Sequence, residues 1–251
     1  MSGFEPGDAA AVQQLFDAVA PRYDQLNDLL SLGLHRLWKR QAIAWVNPAP
    51  GQRCLDLCCG TGDLALLLAA RVRPGGSVLG LDAAAAPLAL AARRARRQPW
   101  LPLQWQQGDA QDTGLPAARA DGAVMAYGLR NLADPAAGLA ELRRVLRPGA
   151  RAAVLDFNRI DLNESDLSGI DAAGSPGREA LLAFQRFYLR RIVVPVARAV
   201  DLEEHYAYLE ASLRRFPTGQ EQEQLALGAG FAWVQHRPLA AGLMGLLLLV
   251  A

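Results

Sequence analysis

The sequence predicts an α/β fold: a doubly wound, Rossmann-like, mostly parallel seven-stranded sheet with an antiparallel C-terminal strand. Three observations predict it. Short apolar runs alternate with helical stretches between Cys54 and Phe157, the pattern of successive β-α-β units. The first of these runs breaks into Gly60-Thr61-Gly62-Asp63 and then at once into a helix over residues 64–70. In doubly wound sheets such a turn lies at the carboxyl ends of the strands, where ligands bind. Two further apolar runs, 231–238 and 243–250, are separated by a turn at Gly242 too short for a crossover, so they pair antiparallel.

Length and composition set the outer bounds. A chain of 251 residues, 51% apolar, has material for one large domain or one domain with a small cap. A net charge of +1 gives no reason to expect nucleic acid or an acidic partner. The chain does not open on a basic stretch followed by an apolar one, and its longest apolar run, 243–251, is half a membrane span. The expectation is a soluble, cytoplasmic protein. The three cysteines fall at 54, 58 and 59, far in sequence from the histidines at 35, 205 and 236. They read as reduced apolar side chains and no metal is expected.

Residues 1–50 read as a helical lead-in without a strand. A helix over 9–19 stops at Pro21. A second helix presents Leu34, Leu37, Trp38, Gln41, Ala42 and Trp45 on one face, with Arg36, Lys39 and Arg40 largely turned away. Such a segment either lies across a ligand mouth as a lid or pads the sheet, and Tyr23 and His35 are odd choices for padding.

Residues 51–251 carry the ligand-binding domain. Gly60-x-Gly62-x-x-Ala65 also satisfies the loose dinucleotide fingerprint. Asp56 and Asp63, however, flank the place of a pyrophosphate and would repel a dianion. They suit a ligand with a cationic end, such as the ammonium and sulfonium centres of S-adenosylmethionine. A second strand, Ser77–Asp82, ends in a carboxylate twenty residues past Gly62, where both ribose hydroxyls can be bonded. Asp109, in Gly108-Asp109-Ala110 after a third strand over 103–106, either meets an adenine amine or caps a turn.

A helix over 83–97 ends in Arg93, Arg94, Arg96 and Arg97, which complement its dipole. The fourth strand, 121–126, opens into Tyr127-Gly128-Leu129-Arg130-Asn131. An arginine facing an apolar cleft needs a partner, which favours a site role here over a helix cap by Asn131 or Asp134. A helix over 136–146, a Pro148-Gly149 turn and a strand over 151–157 complete the alternation. Residues 158–200 then interrupt it as a loop and amphipathic cover. Between 178 and 198 arginines interleave with aromatic and aliphatic residues, which suits either a membrane surface or a cover on the sheet.

Taken together, the stretch from Leu55 to Asp63, Tyr127 to Asn131, Arg147-Pro148-Gly149 and the closing hairpin resemble a class I S-adenosylmethionine-dependent methyltransferase. Val19-Ala20-Pro21-Arg22-Tyr23-Asp24, Ser31-Leu32-Gly33-Leu34-His35-Arg36-Leu37-Trp38-Lys39 and Gly128-Leu129-Arg130-Asn131 narrow the resemblance to the ubiquinone/menaquinone C-methyltransferase (UbiE/MenG) family. Val193-Val194-Pro195 and Arg215-Phe216-Pro217-Thr218-Gly219 resemble its phylloquinone branch.

The resemblance implies methyl transfer from S-adenosylmethionine to ring carbon 3 of a prenylated quinol, 2-phytyl-1,4-naphthoquinol, with demethylmenaquinol or a ubiquinone-type benzoquinol as alternatives. It implies cofactor contacts from Asp56, Gly60, Thr61, Gly62, Asp82, Asp109, Ala110 and Tyr127. Arg130 is expected to stabilise the quinol oxygen, Asn131 to orient the ring or the methionine moiety, and Tyr23 or His35 to relay its proton. Transient membrane-surface contact through 178–198 is expected and a homodimer is left open. The chain departs from the family at Ala83-Ala84, where a Phe-Ser pair is usual, so a hydroxyl helix cap is missing. Two readings of other classes compete. An NAD-dependent oxidoreductase lacks a hydride-transfer motif such as Tyr-x-x-x-Lys, and a silent cofactor-binding scaffold is opposed by intact Gly60, Gly62, Asp82 and Arg130.

Overall fold

Strand order β3-β2-β1-β4-β5-β7-β6 describes the single seven-stranded sheet of the protein, seen in a computed structural model. The structure describes residues 33–159 and 211–251, with Gln13, Asp17 and Tyr208. The strands are β1 Arg53–Leu57, β2 Ser77–Asp82, β3 Leu103–Gln107, β4 Ala120–Ala126, β5 Leu146–Phe157, β6 Trp233–Leu239 and β7 Met244–Val250. The helices are α1 Leu34–Val46, α2 Asp63–Val72, α3 Ala85–Ala95, α4 Pro135–Val145 and α5 Gly219–Gly228. β1 to β5 pair in parallel, and β7 runs antiparallel to both β5 and β6. The predicted fold class, including its antiparallel closing strand, is the one observed.

Period-two alternation divides the core. Leu55, Leu57, Ala123, Met125, Ala152, Val154, Leu247 and Leu249 point to one face, where they meet Leu139, Leu142 and Val145 of α4 and Phe216. Cys54, Val124, Ala153, Leu155, Leu246 and Leu248 point to the other, against Trp38, Ala42, Ile43 and Val46 of α1 and Leu64, Leu68 and Val72 of α2. Because both faces are covered, the central strands read as continuous apolar runs rather than alternating ones.

Three expectations need correction. The buried face of α1 consists of His35, Trp38, Lys39, Ala42, Ile43 and Val46, whereas Leu34 and Leu37 are 46% and 50% exposed and Gln41 is also exposed. The buried face takes in apolar Ile43 and Val46, and it can hold Lys39 because the ammonium meets the Asp63 carboxylate. β5 begins at Leu146 rather than at 151, since Leu146 still pairs with Ala120 across a register shift. α3 spans Ala85–Ala95, shorter at both ends than the predicted 83–97.

The connection between β3 and β4 is held by a contact that no pattern in the sequence announced. Glu141 of α4 accepts from the Thr113 backbone N–H at 2.9 Å and from its hydroxyl at 2.5 Å, and Arg144 donates to the same carboxylate. The Arg144 bonds, opposed by burial and reinforced by those from Thr113, hold Glu141 at about 2, below its usual 4.5. A depressed carboxylate stabilises the fold above its unfolded value and loses that contribution as pH falls through the folded one. Glu141→Gln should therefore lose about 2 kcal/mol at neutral pH. In urea titrations the gap to the parent should close as pH falls from about 4.5 towards 2.

Candidate functional site

Because β1 lies between β2 and β4, the connections leaving β1 and β4 diverge and open a crevice at the carboxyl ends of both strands. A cleft of about 320 Å³ lies there, at the lower end of the size of small-molecule sites. Its walls include Asp56, Cys58, Cys59, Gly60, Thr61 and Asp63 after β1, Asp82 to Ala84 after β2, Asp109 and Gln111 after β3, and Tyr127, Gly128 and Asn131 after β4. Lys39 of α1 and Gln13 complete the side nearest the lead-in.

Backbone geometry explains the glycines. Gly60 and Gly62 have φ of +53° and +84°, in the left-handed region that side chains disfavour. A Cβ on Gly62 would stand 2.6 Å from the Trp105 ring, while one on Gly60 would meet nothing within 4 Å. Gly62 is thus required by packing and turn, and Gly60 leaves room for a ligand. Cys58 and Tyr127 also adopt positive φ, at 53° and 60°. Both stand at strand ends in the cleft wall, where functional sites concentrate such strain.

The acids play different parts. Asp82 accepts from Gly60 N–H at 2.7 Å and Ala84 N–H at 2.9 Å, tying the first and second turns together. Burial raises its pKa against those bonds. Asp56 is 1% exposed and accepts from Ala65 N–H at 2.7 Å; burial pushes it up to about 8, against the Ala65 bond and Lys39. Asp109 accepts from Gln111 N–H at 2.8 Å, so it closes its own turn and also lines the cleft. Ala110 is buried beneath that turn, outside the described cleft wall.

Asp63 differs most from expectation. Its two oxygens receive Lys39 Nζ at 2.8 Å and an Arg94 nitrogen at 2.6 Å. Burial alone would raise it, but the two cations hold it at about 2. An ionised Asp63 is therefore no lone negative charge, and the repulsion argument drawn from it is weaker than its sequence position implied. Arg94 also donates to the Thr61 carbonyl and hydroxyl, each at 3.0 Å. It is a clasp on the glycine turn as well as a counter-charge to the α3 dipole. The arginine cluster was visible in the sequence; which arginine folds back was not.

At the end of β4, Arg130 is 7% exposed and is not among the residues lining the cleft. Its Nε lies 3.3 Å from Asp156, its guanidinium stands 5.3 Å from the Phe157 ring centre, and one nitrogen donates to Asn131 Oδ1 at 2.6 Å. Asn131 does line the cleft; its amide donates to the Tyr127 carbonyl at 2.8 Å, and the Tyr208 hydroxyl donates to its Oδ1 at 3.0 Å. Asp156 and Tyr208 were missed in the sequence. Asp156 reads there as the interior of a strand, and Tyr208 sits near no motif. His35 is buried and outside the described cleft wall. Tyr23 and the 158–200 cover lie outside the described residues, apart from Asn158 and Arg159. Among the described residues no group of three or more His, Cys, Asp or Glu side chains could hold a metal, and no helix is long and apolar enough to cross a membrane.

The ubiE/COQ5 methyltransferase family model matches residues 5–248. The chain belongs to that family. A relative from Synechococcus elongatus, named 2-phytyl-1,4-naphtoquinone methyltransferase, is 49% identical over 96% of this chain and 97% of its own length. A chloroplastic 2-phytyl-1,4-beta-naphthoquinone methyltransferase of Arabidopsis thaliana is 41% identical over 92% of this chain and 84% of its own. A SAM-dependent methyltransferase of Aquifex aeolicus shares the fold at a TM-score of 0.57 and 16% identity, over 99% of both chains.

The family's missing hydroxyl cap has a substitute in this member. α3 has no side-chain cap at Ala84, but Asp17 of the lead-in accepts from Ala86 N–H at 2.8 Å. A carboxylate at a helix N-terminus satisfies an orphan donor and meets the positive end of the dipole. Asp17→Ala should lower unfolding stability by about 1 kcal/mol. Asp17→Asn should keep most of that, as read by paired denaturant titrations.

Proposed function

We propose that this chain transfers the methyl group of S-adenosylmethionine to ring carbon 3 of 2-phytyl-1,4-naphthoquinol. The observation that carries the reading is similarity at 41–49% identity, over nearly the whole chain, to proteins named for that activity. The cleft suits the donor. Open backbone at Gly60, the Asp82 carboxylate and the small apolar surface of Ala83, Ala84 and Pro87 match an adenosyl group. The acids around it offer partners for the donor's cationic centres.

The donor supplies a methyl already activated by its sulfonium. The chain must align it with a ring carbon made nucleophilic when the adjacent hydroxyl loses its proton. The new carbon–carbon bond forms as the sulfur–methyl bond breaks; the proton on that carbon then passes to water, and the ring oxygen takes one up to restore the quinol. Asn131 is the group we assign to the quinol oxygen. Its carbonyl oxygen is held by Arg130 and Tyr208 and one amide proton by Tyr127, so the amide has one further proton to donate. Arg130 then acts from behind Asn131, with Asp156 as its counter-ion, instead of touching substrate.

Incubation with labelled S-adenosylmethionine and reduced 2-phytyl-1,4-naphthoquinone should give a ring-methylated product. No transfer to this or any related quinol would overturn the substrate reading. Tyr208→Phe should lower kcat several-fold, and Arg130→Lys, which keeps the charge but loses the fork, about tenfold. Donor affinity should hold in both. The reading also takes in contact with an anionic membrane surface through the arginines at 178–198, which flotation with liposomes would test.

A further inference from the structure

Lys39 is the unexplained charge of the cleft. Four aspartates line it, Asp56, Asp63, Asp82 and Asp109, and among the described residues Lys39 is the one cationic side chain that does. It is 7% exposed, on a helix whose other buried residues are His35 and apolar side chains. An ammonium is rarely buried so far without a specific partner.

Asp63 does not use up that charge. Lys39 bonds one of its oxygens and Arg94 the other, so Lys39 has only half of that carboxylate. Arg94 is directed at the Thr61 backbone and hydroxyl and is not among the cleft-lining residues, so Lys39 is the member of the pair that faces the cleft. The ammonium has three protons, and among the described residues it donates one hydrogen bond, to Asp63. It also stands over the ring of Tyr127, which follows β4, 5.8 Å from the ring centre.

A methyl donor of the kind proposed above carries an amino-acid tail with an ammonium and a carboxylate. The aspartates can serve the first, but they repel the second. We infer that Lys39 binds the carboxylate of the donor's methionine tail, and that Asp63, itself braced by Arg94, positions the Lys39 ammonium for it. The inference rests on the S-adenosylmethionine reading.

Two ligands separate the possibilities. S-adenosylhomocysteine carries the tail; 5′-methylthioadenosine shares the adenosine and sulfur but lacks the amino acid. Calorimetry on the full chain should show Lys39→Met weakening S-adenosylhomocysteine about tenfold or more, with 5′-methylthioadenosine within about twofold of the parent value. Lys39→Arg should recover part of the loss, and the unfolding midpoint of each variant checks that the fold is intact. Unchanged S-adenosylhomocysteine affinity would overturn the inference. So would an equal loss for both ligands, which would mean that Lys39 only shapes the glycine turn. A raised KM for the quinol with S-adenosylhomocysteine binding intact would place Lys39 at the acceptor instead and overturn it as well. Failure of the parent protein to bind either nucleoside would remove the donor reading itself, and the inference with it.

Discussion

Asp63 joins three elements that the chain order keeps apart. Through its two oxygens it links α1 by Lys39 and α3 by Arg94 to the first turn of α2. A half-exposed Arg94 alone would contribute little, as surface pairs do. The Lys39 side is different, because that side chain is only 9% exposed and its charge would be left buried without its partner. The geometry of the glycine turn therefore depends on a charge pair. Gly60 and Gly62 permit the turn, while Asp63 and Arg94 keep it against α1 and α3. The Asp82 carboxylate repeats the device one strand along by bonding the Gly60 and Ala84 N–H groups. Successive strand ends are thus laced by aspartates that also line the cleft.

The opposite wall is built on a second buried pair. Asp156 accepts from the Arg130 and Phe157 backbone N–H groups at 3.1 and 2.8 Å and lies against the Arg130 side chain. Burial raises its pKa and Arg130 opposes that rise. Replacing such a pair with apolar residues need not cost stability. Its position suits an orienting role: it holds a guanidinium whose other end fixes Asn131, and Arg215 reaches the carbonyls of Arg130 and Leu132 at 3.2 and 2.9 Å. A chain of donors and acceptors thus runs from the interior of β5 to the cleft surface, and only its last member is in position to meet a ligand.

What the sequence disclosed and what it hid follow from the same physics. Strand runs, the glycine turn and the closing hairpin are local patterns, and they placed β1, β2, β4 and the β6–β7 pair within a few residues. The acids at 56, 82 and 109 could be read because strand ends in this fold converge on one edge. Lys39 was misread because periodicity counts a lysine as solvent-facing, and its partner, 24 residues away, is invisible to a local window. The same limit hid the Asp17 cap on α3 at a separation of 69 and the Tyr208 contact with Asn131 at 77. The Arg130 motif was legible as important, but its direction was not. Whether a side chain faces a cleft or the wall behind it depends on Asp156, which the sequence shows only as an acid at the end of an apolar strand.

A cleft that holds a sulfonium must also protect its own walls from methylation. Cys58 and Cys59 line this one, and a thiolate is a far better nucleophile than a thiol. Burial, and then the surrounding aspartates, push both thiols well above their usual range. At neutral pH they remain protonated and behave as small apolar contacts. The acids therefore serve twice in the proposed reaction. They offer partners for the donor's positive centres, and their field adds to burial in keeping the Cys58 and Cys59 thiols in their unreactive form.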